Sequence, residues 1–210
     1  EDQKMMYEDI WSKRKELSKK SGSFFSVLAQ LRAICDGDSR YASNSKVLKA
    51  YEIITDIFKR KEKVIVFSYY LEPLRALENL LSDKGVDFVT ILGEDELADR
   101  EINIQKFKNT NTDVLLASSK VASEGLNLTE ANNVIFLNRW WNPSSNNQAR
   151  DRVNRLGQEK VVNIYNIFCK DTIEERVAEV LHEKSELYEK MIDGLIDNVQ
   201  DIDIDLLIND

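Results

Sequence analysis

The sequence predicts an α/β fold built on one parallel sheet with helices on both faces. Five short runs rich in β-branched and apolar residues predict the strands, at 63–68, 86–91, 113–118, 133–138 and 161–168. Helical patterns lie between most of them, at 71–84, 96–108 and 144–156, and this alternation is typical of a parallel sheet. The runs are almost continuously apolar, which is typical of strands covered on both faces.

Residues 1–60 predict a helical extension that leads into the α/β lobe, which we assign to 61–170. The first helix covers about 1–20 and has a sparse apolar stripe of Met5, Met6, Ile10 and Leu17. The second repeats apolar residues at the helical period, at Phe24, Val27, Leu28, Leu31 and Ile34. The third runs from Ser45, the expected N-cap, to Lys59, with inward positions at Val47, Leu48, Tyr51, Ile54 and Phe58.

Residues 171–210 predict a bracing helix followed by an acidic tail. The helix opens with Thr172 and Glu175 at the spacing of a capping box. This stretch carries 13 acidic and 3 basic side chains, so the net charge of −8 arises here and the rest of the chain is slightly basic. A basic remainder permits contacts with phosphates without proving them.

Cysteine and histidine usage excludes several kinds of site. Cys35 and Cys169 are far apart and lack C-x-x-C spacing, so neither a disulfide framework nor a zinc site is predicted. His182 is the only histidine, which excludes His-based metal centres and nucleophiles activated by histidine. We therefore expect this chain to bind no metal ion.

The apolar runs are too short to span a bilayer, and the first residues do not resemble a signal peptide. We therefore expect a soluble, monomeric, intracellular protein without a membrane partner. The expected location is the cytoplasm and nucleoid if the source is microbial, and the nucleus if it is eukaryotic.

Polar residues follow four of the predicted strands, where ligands of parallel α/β sheets bind. These loops are 68–70, 92–93, 118–120 and 138–141. Small hydroxyls and a lysine at such an edge suit contacts with a phosphate backbone. For Ser68 or Ser118 taken alone, ordinary loop polarity is the better explanation, and only their shared edge favours DNA contact.

The predicted helix at 144–156 places Gln148, Arg152 and Arg155 on one face, at positions i, i+4 and i+7. Two guanidinium groups on one face suit an anion that gains charge during reaction, such as a transferring γ-phosphoryl group. A solvated helix whose arginines pair with Asp151 and Glu159 is the alternative.

Four motifs in order make the sequence similar to a known family. They are SSK-x3-EGLNLT at 118–129, WWNP at 140–143, QARDRVNRLGQ at 148–158 and TIEERV at 172–177. Together they resemble the later helicase motifs of the Swi/Snf-type DNA-dependent ATPases of superfamily two. The resemblance runs from about 24 to 191 and corresponds to the second of two RecA-like lobes.

The resemblance implies that Arg152 and Arg155 are catalytic arginine fingers, and that Gln148, Gly125 and Asn127 contact the nucleotide. ATP and Mg²⁺ would be held by an N-terminal RecA-like lobe of the same polypeptide. No glycine of this chain lies in a G-x4-G-K-[ST] loop, and no Walker B strand is present. The chain alone is therefore expected to hold no cofactor and to hydrolyse no ATP.

The resemblance also implies double-stranded DNA as the partner of the strand-end loops. The DNA-contacting positions would be Ser68, Ser118, Ser119, Lys120 and Trp141. A tryptophan pair such as 140–141 is more commonly part of a core. If Trp141 is exposed, stacking on DNA would contribute roughly 1–3 kcal/mol.

Some positions depart from the family pattern. Val121-Ala122-Ser123 replaces A-G-G, Asn154 replaces a histidine, and Asn138 replaces an aspartate near the WNP motif. Loss of two glycines puts a close backbone approach of this loop in doubt. The expected function is the second motor lobe of a DNA translocase or remodeller. The alternative is a degenerate lobe that serves as a DNA- or protein-binding platform, while WNP and GLNLT argue against an RNA helicase.

Overall fold

The computed structural model describes residues 2–21, 24–37, 44–122, 127–138 and 152–179. Its centre is a five-stranded sheet in the order β2-β3-β1-β4-β5, with all four pairings parallel. The strands are β1 Val64–Ser68, β2 Phe88–Ile91, β3 Val114–Ser118, β4 Asn133–Phe136 and β5 Asn163–Asn166. The predicted parallel α/β fold is confirmed, and each strand lies within its predicted run.

Seven helices with defined bounds accompany the sheet in the described part of the chain. They are α1 Asp2–Ser12, α2 Arg14–Ser21, α3 Phe24–Asp36, α4 Ser45–Lys59, α5 Leu71–Asp83, α6 Leu97–Asn109 and α7 Ser119–Ala122. Residues 173–179 are also helical. The predicted crossover helices at 71–84 and 96–108 are confirmed as α5 and α6. No helix within the described ranges is long and apolar enough to cross a membrane.

The predicted helix at 144–156 is wrong over its last residues, and its part up to 151 lies outside the described residues. Residues 152–157 form turns. In a helix the Arg152 carbonyl would accept from the amide four residues on; here it accepts from the Leu128 amide at 3.1 Å. Gly157, at φ 103°, adopts a conformation that few other residues tolerate.

Two apolar clusters cover the two faces of the sheet. Ile65 and Phe67 of β1 face a cluster that includes Phe107 of α6, while Val64 and Val66 face α4 and α5. The central strands β1, β3 and β4 are buried throughout, as predicted. The prediction is wrong for the edge strand β5, whose residues alternate between half-buried and exposed, so that one of its two faces is open to solvent.

A third apolar cluster joins the helical extension to the end of the described chain. Tyr7 of α1 and five residues of α3 pack against Ile173 and Val177. The predicted apolar face of α3 is confirmed at Val27, Leu28, Leu31 and Ile34. By contrast, α4 packs in the cluster of the sheet, although the sequence grouped it with the extension. The domain division at residues 60 and 170 stays a prediction.

Several details of the helices differ from prediction. The N-cap of α4 is Asn44, whose Oδ1 accepts from the Val47 amide at 3.1 Å, and Ser45 is the first helical residue. Asn44 Nδ2 also donates to the Asp36 carbonyl at 2.9 Å, so one amide serves two helix ends. Leu48 is 55% exposed.

In α1 the methionines of the predicted stripe are exposed and Tyr7 is the buried residue. At the helical segment 173–179, Thr172 Oγ1 accepts from the Glu174 amide at 3.2 Å, so Thr172 is the cap, as predicted. In a capping box the Glu175 carboxylate would accept from the Thr172 amide; here it accepts from the preceding amide, that of Asp171, at 2.9 Å.

Candidate functional site

The carboxyl ends of β1 and β3 place two of the predicted DNA-binding serines side by side. Ser68 pairs with Ser118 in the last register position of the two strands, and both side chains are buried. Ser68 Oγ donates to the Tyr70 carbonyl at 2.7 Å and accepts from Asn138 Nδ2 at 2.9 Å. Ser68 therefore holds the loop in shape, and its hydroxyl does not face solvent.

Asn138 ties the loop after β4 to the loop after β1. Its Oδ1 accepts from the Tyr69 amide at 2.8 Å, and its Nδ2 donates to Ser68 and, at 3.2 Å, to Asp36 Oδ1. The predicted meeting of these strand ends at one edge is confirmed. An aspartate at this position would keep the bond from the Tyr69 amide but would lose both donations.

A buried charge cluster behind this edge was missed by the sequence interpretation. Lys46 Nζ donates to Asp36 Oδ1 at 2.8 Å and to Glu174 Oε1, and all three side chains are almost fully buried. Glu174 Oε2 accepts from the Cys169 amide at 3.0 Å. Since Asp36 also accepts from Asn138, the polar contacts run without a gap from Ser68 to Cys169. Nothing in the sequence signals this cluster, because Glu174 lies 128 residues from Lys46 and no local pattern links the two.

The charges in this cluster stabilise one another. Burial lowers the pKa of Lys46, but the carboxylates of Asp36 and Glu174 outweigh burial and the net pKa is raised. Lys46 is therefore charged at neutral pH. Burial raises the pKa of Glu174, and the Lys46 ammonium partly offsets this effect. The cluster connects the extension, the sheet edge and the 173–179 segment through fixed charges.

Two segments that contain predicted nucleotide-contacting residues lie next to each other. The Leu128 amide donates to the Arg152 carbonyl. This bond brings Asn127 beside residues 152–157, which we call the arginine segment. Gln158 Nε2 donates to the carbonyls of Thr129 and Ala131, at 3.0 and 2.7 Å. Residues 127–131 precede β4, and Ser68 and Ser118 end β1 and β3.

The individual candidates differ in exposure. Asn127 and Arg155 are exposed, while Arg152 and Ser119 are half-buried. Gln148, Gly125 and Trp141 lie outside the described residues, as does the side chain of Lys120. Their predicted roles, like those of Arg152, Arg155 and Asn127, stay predictions. Within the described ranges, one group of residues has the donors of a metal site: Cys35, Cys169 and Glu174, whose ligand atoms lie within 4.8 Å of one another.

Comparison with known proteins agrees with this architecture. A family described as the helicase conserved C-terminal domain matches residues 46–157, more than half of the chain. An uncharacterized ATP-dependent helicase of Mycoplasma genitalium is 37% identical over 181 residues, covering 83% of this chain and 18% of that protein. The chromatin-remodeling ATPase INO80 of Homo sapiens is 31% identical over 186 residues, covering 88% and 11%.

Solved structures show the same fold. The Sulfolobus solfataricus SWI2/SNF2 ATPase core in complex with dsDNA matches with a TM-score of 0.70 and 25% identity, over 91% of this chain and 42% of that chain. The C-terminal domain of that ATPase matches with a TM-score of 0.68 and 23% identity, over 90% and 83%. The chain spans less than a fifth of the length of the curated relatives above. With its parallel sheet and its ordered motifs, the chain belongs to the helicase conserved C-terminal domain family, as a RecA-like C-terminal lobe of the Swi/Snf type.

Proposed function

We propose that this lobe is the second half of an ATP-driven motor that translocates on double-stranded DNA. In this proposal Arg152 and Arg155 reach ATP and Mg²⁺ held by an N-terminal RecA-like lobe of the same polypeptide. The observation that carries it is the bond between the Leu128 amide and the Arg152 carbonyl. This bond joins the GLNLT segment to residues 152–157, so the residues that we propose to contact the nucleotide come from two neighbouring segments. The names of the relatives, ATP-dependent helicase and chromatin-remodeling ATPase, support the same activity.

The arginines would act on the charge that develops on the transferring phosphoryl group. A guanidinium placed there is typically worth about 10³–10⁵ in rate. This rate effect depends on a fixed position of the guanidinium. Gln158 helps to fix the backbone, because its Nε2 donates to the carbonyls of Thr129 and Ala131 and to that of Val153. Closure of the two lobes on ATP, and reopening after hydrolysis, would move this lobe along the DNA.

The test uses the full-length parent protein with Arg152→Ala and Arg155→Ala variants. We expect DNA-stimulated ATP hydrolysis to fall by about 10³-fold or more in each, with DNA binding changed by less than about twofold. Lys160→Ala is the matched control, because Lys160 is an exposed cation just beyond the segment and should leave hydrolysis unchanged. Two arginine variants with the parent's hydrolysis rate would refute the finger role.

For DNA contact, the proposal rests on the edge formed by the ends of β1, β3 and β4. Ser119 and Lys120 begin α7 directly after β3, where they would meet the phosphate backbone, and Trp141 would stack nearby. Ser68 and Ser118 are buried and would support this edge from behind. Lys120→Ala should weaken binding to all DNA sequences alike and reduce the slope of log K against log salt by about 1.

A degenerate lobe that binds DNA or protein without hydrolysis is the second candidate. Its support is Val121, which occupies the first position of the altered A-G-G motif and is buried in the cluster with Phe107. A loop held by packing has less freedom to approach a nucleotide. Hydrolysis by the chain and by its parent, each with and without double-stranded DNA, separates the two. A silent chain beside a DNA-stimulated parent supports the half-motor, and a silent parent supports the platform.

A further inference from the structure

Two thiols that lie 134 residues apart in sequence meet beside the buried charge cluster. We propose that Cys35 and Cys169 are a peroxide-sensitive pair that closes to a reversible disulfide, with Cys169 as the attacking thiol. This inference is independent of the motor function proposed above. It rests on the contact between the two residues, on the cavity that both line and on the charges around them.

The sulfur atoms are close enough to react after small side-chain rotations. They lie within 4.8 Å of each other, and Cys169 Sγ lies 3.7 Å from the Cys35 carbonyl oxygen. Both thiols are reduced in this structure. A disulfide needs sulfur atoms about 2.05 Å apart and Cα atoms roughly 4.4–6.8 Å apart. Because Cys169 Sγ lies 3.7 Å from the Cys35 carbonyl oxygen, the two main-chain segments are neighbours.

A metal site is the competing use of these thiols, and the surroundings disfavour it. Glu174, the third potential ligand, uses one carboxylate oxygen for Lys46 and the other for the Cys169 amide. The Lys46 ammonium lies against the same carboxylate and would repel a cation. Structural zinc takes four ligands, so two thiols without a free carboxylate are too few.

Access and acidity assign different roles to the two thiols. Cys35 is only 2% exposed and Cys169 is half-buried, and both line a cavity of about 370 Å³ that is open to solvent. The pKa of the Cys169 thiol is lowered by a hydrogen bond from the Cys35 thiol, which outweighs the opposing effects of burial and of the Glu174 carboxylate; the Lys46 ammonium adds a smaller lowering. The same bond, together with burial, raises the pKa of Cys35. Cys169 therefore supplies the thiolate, which is the reactive form.

The chemistry needs one peroxide and balances as follows. The Cys169 thiolate attacks one oxygen of hydrogen peroxide, the O–O bond breaks, and the hydroxide that leaves takes a proton to become water. Cys169 is then a sulfenic acid. The Cys35 sulfur attacks the Cys169 sulfur, its proton is lost, and a second water leaves as the S–S bond forms. Two thiols are oxidised to a disulfide while one peroxide is reduced to two waters.

The first experiment treats the 210-residue chain with excess hydrogen peroxide and then blocks free thiols with N-ethylmaleimide in denaturant. Because the chain has only two cysteines, an intramolecular disulfide can join only this pair. We expect a monomer whose mass is lower by two hydrogen atoms and which takes up no maleimide. Dithiothreitol should restore both thiols. Closing so long a loop should raise the melting temperature by on the order of 10 °C.

Single variants test the order of reaction. With peroxide and dimedone, Cys35→Ser should give one adduct on Cys169, and Cys169→Ser should give none, because Cys35 is buried. An adduct on Cys35 at the same rate would overturn the assignment of the attacking thiol. The proposal as a whole is overturned if both thiols of the wild-type chain still react with maleimide after peroxide treatment. Oxidation that gives only disulfide-linked dimers, or one zinc ion retained per chain after purification, would overturn it as well.

Discussion

At the level of single residues, the stability of the fold depends on how Lys46 is buried. Its ammonium is buried between Asp36 and Glu174, and removing it would leave two carboxylates facing each other without a cation. We predict that Lys46→Met lowers the free energy of unfolding by about 3–5 kcal/mol, the usual cost of breaking a buried ion pair from one side. Urea unfolding of the purified chain measures this loss.

The control for Lys46→Met is Lys49→Met, one turn later on the same helix. The Lys49 side chain is 60% exposed and pairs with Glu52, so solvent replaces its interactions when it is removed. Its unfolding midpoint should stay close to that of the wild type. If the two variants unfold alike, the charges of Asp36 and Glu174 are not held together by Lys46, and the cluster has another source of stability.

Glu62 gives the chain a specific dependence on pH. Side-chain amides of Asn132 and Asn133 donate to its carboxylate at 2.9 and 3.1 Å, and Arg60 donates at 3.0 Å. These bonds lower the pKa of Glu62 to about 2, from an ordinary value of 4.5. A carboxylate with a lowered folded-state pKa stabilises the fold above its unfolded pKa and loses that effect as pH falls through the folded value.

We therefore predict that Glu62→Gln destabilises the chain at pH 7 and removes part of the loss of stability between about pH 4.5 and 2. The carboxylate is 21% exposed, so solvent screening reduces the effect to roughly 1 kcal/mol. Unfolding free energies of both proteins across this pH range test it. Parallel pH curves for variant and wild type would show that the bonds to Glu62 do not depend on its charge.

At the scale of elements, the arginine segment owes its shape to one side chain. Gln158 Nε2 donates to the carbonyls of Thr129 and Ala131, which precede β4, and to the Val153 carbonyl at 3.4 Å. A glutamate of the same size cannot donate these bonds. We predict that Gln158→Glu loosens residues 152–157. If Arg152 and Arg155 are arginine fingers as proposed, it also lowers the ATPase rate of the full-length parent by about 10-fold or more, because the rate depends on their position.

Hydrogen exchange of residues 128–131 and 152–158 measures the loosening directly. Gln105→Glu on α6 is the matched control, because Gln105 is exposed and only accepts a bond, from Asn109 at 2.9 Å. That variant should exchange and hydrolyse ATP like the parent. Unchanged exchange in Gln158→Glu would mean that the bond between Leu128 and Arg152 is enough to hold the segment.

The elements differ in how far the sequence predicts them, for physical reasons. The strands and the helices α5 and α6 are predicted because their apolar periods are set by burial against one sheet. The segment at 152–157 has helical spacing in sequence, but its carbonyls bond to Leu128 and Gln158, and local patterns do not report such distant partners. The charges of Asp36, Lys46 and Glu174 were missed for the same reason, since only the folded chain brings them together.

In the molecule as a whole, the third apolar cluster brings the two ends of the described chain into contact. The cluster joins α1 and α3 of the extension to Ile173 and Val177. The charge cluster lies beside it, because Asp36 ends α3 and Glu174 follows Ile173. The two ends of the described chain are therefore coupled to the loops at the sheet edge through Asn138. A substitution in the extension should therefore change hydrogen exchange at that edge.

Tyr7 tests this coupling, because one hydrogen bond spans most of the chain. The Ile173 amide donates to Tyr7 Oη at 2.6 Å, across 166 residues of sequence, and both residues are buried. Tyr7→Phe keeps the ring in the cluster but leaves a buried amide without its acceptor. We predict a loss of about 1–3 kcal/mol in unfolding free energy, and faster hydrogen exchange at 173–179 and at residues 36 and 138.

Tyr165→Phe is the control, since its hydroxyl only accepts an exposed bond from Arg60 at 3.3 Å. Its stability and exchange should match those of the wild type. The pattern of exchange in Tyr7→Phe distinguishes two forms of cooperativity. If exchange rises at 173–179 but not at Asp36 and Asn138, the third cluster opens by itself and the coupling to the sheet edge is refuted. If all three sites exchange faster together, the extension and the α/β lobe unfold as one cooperative unit.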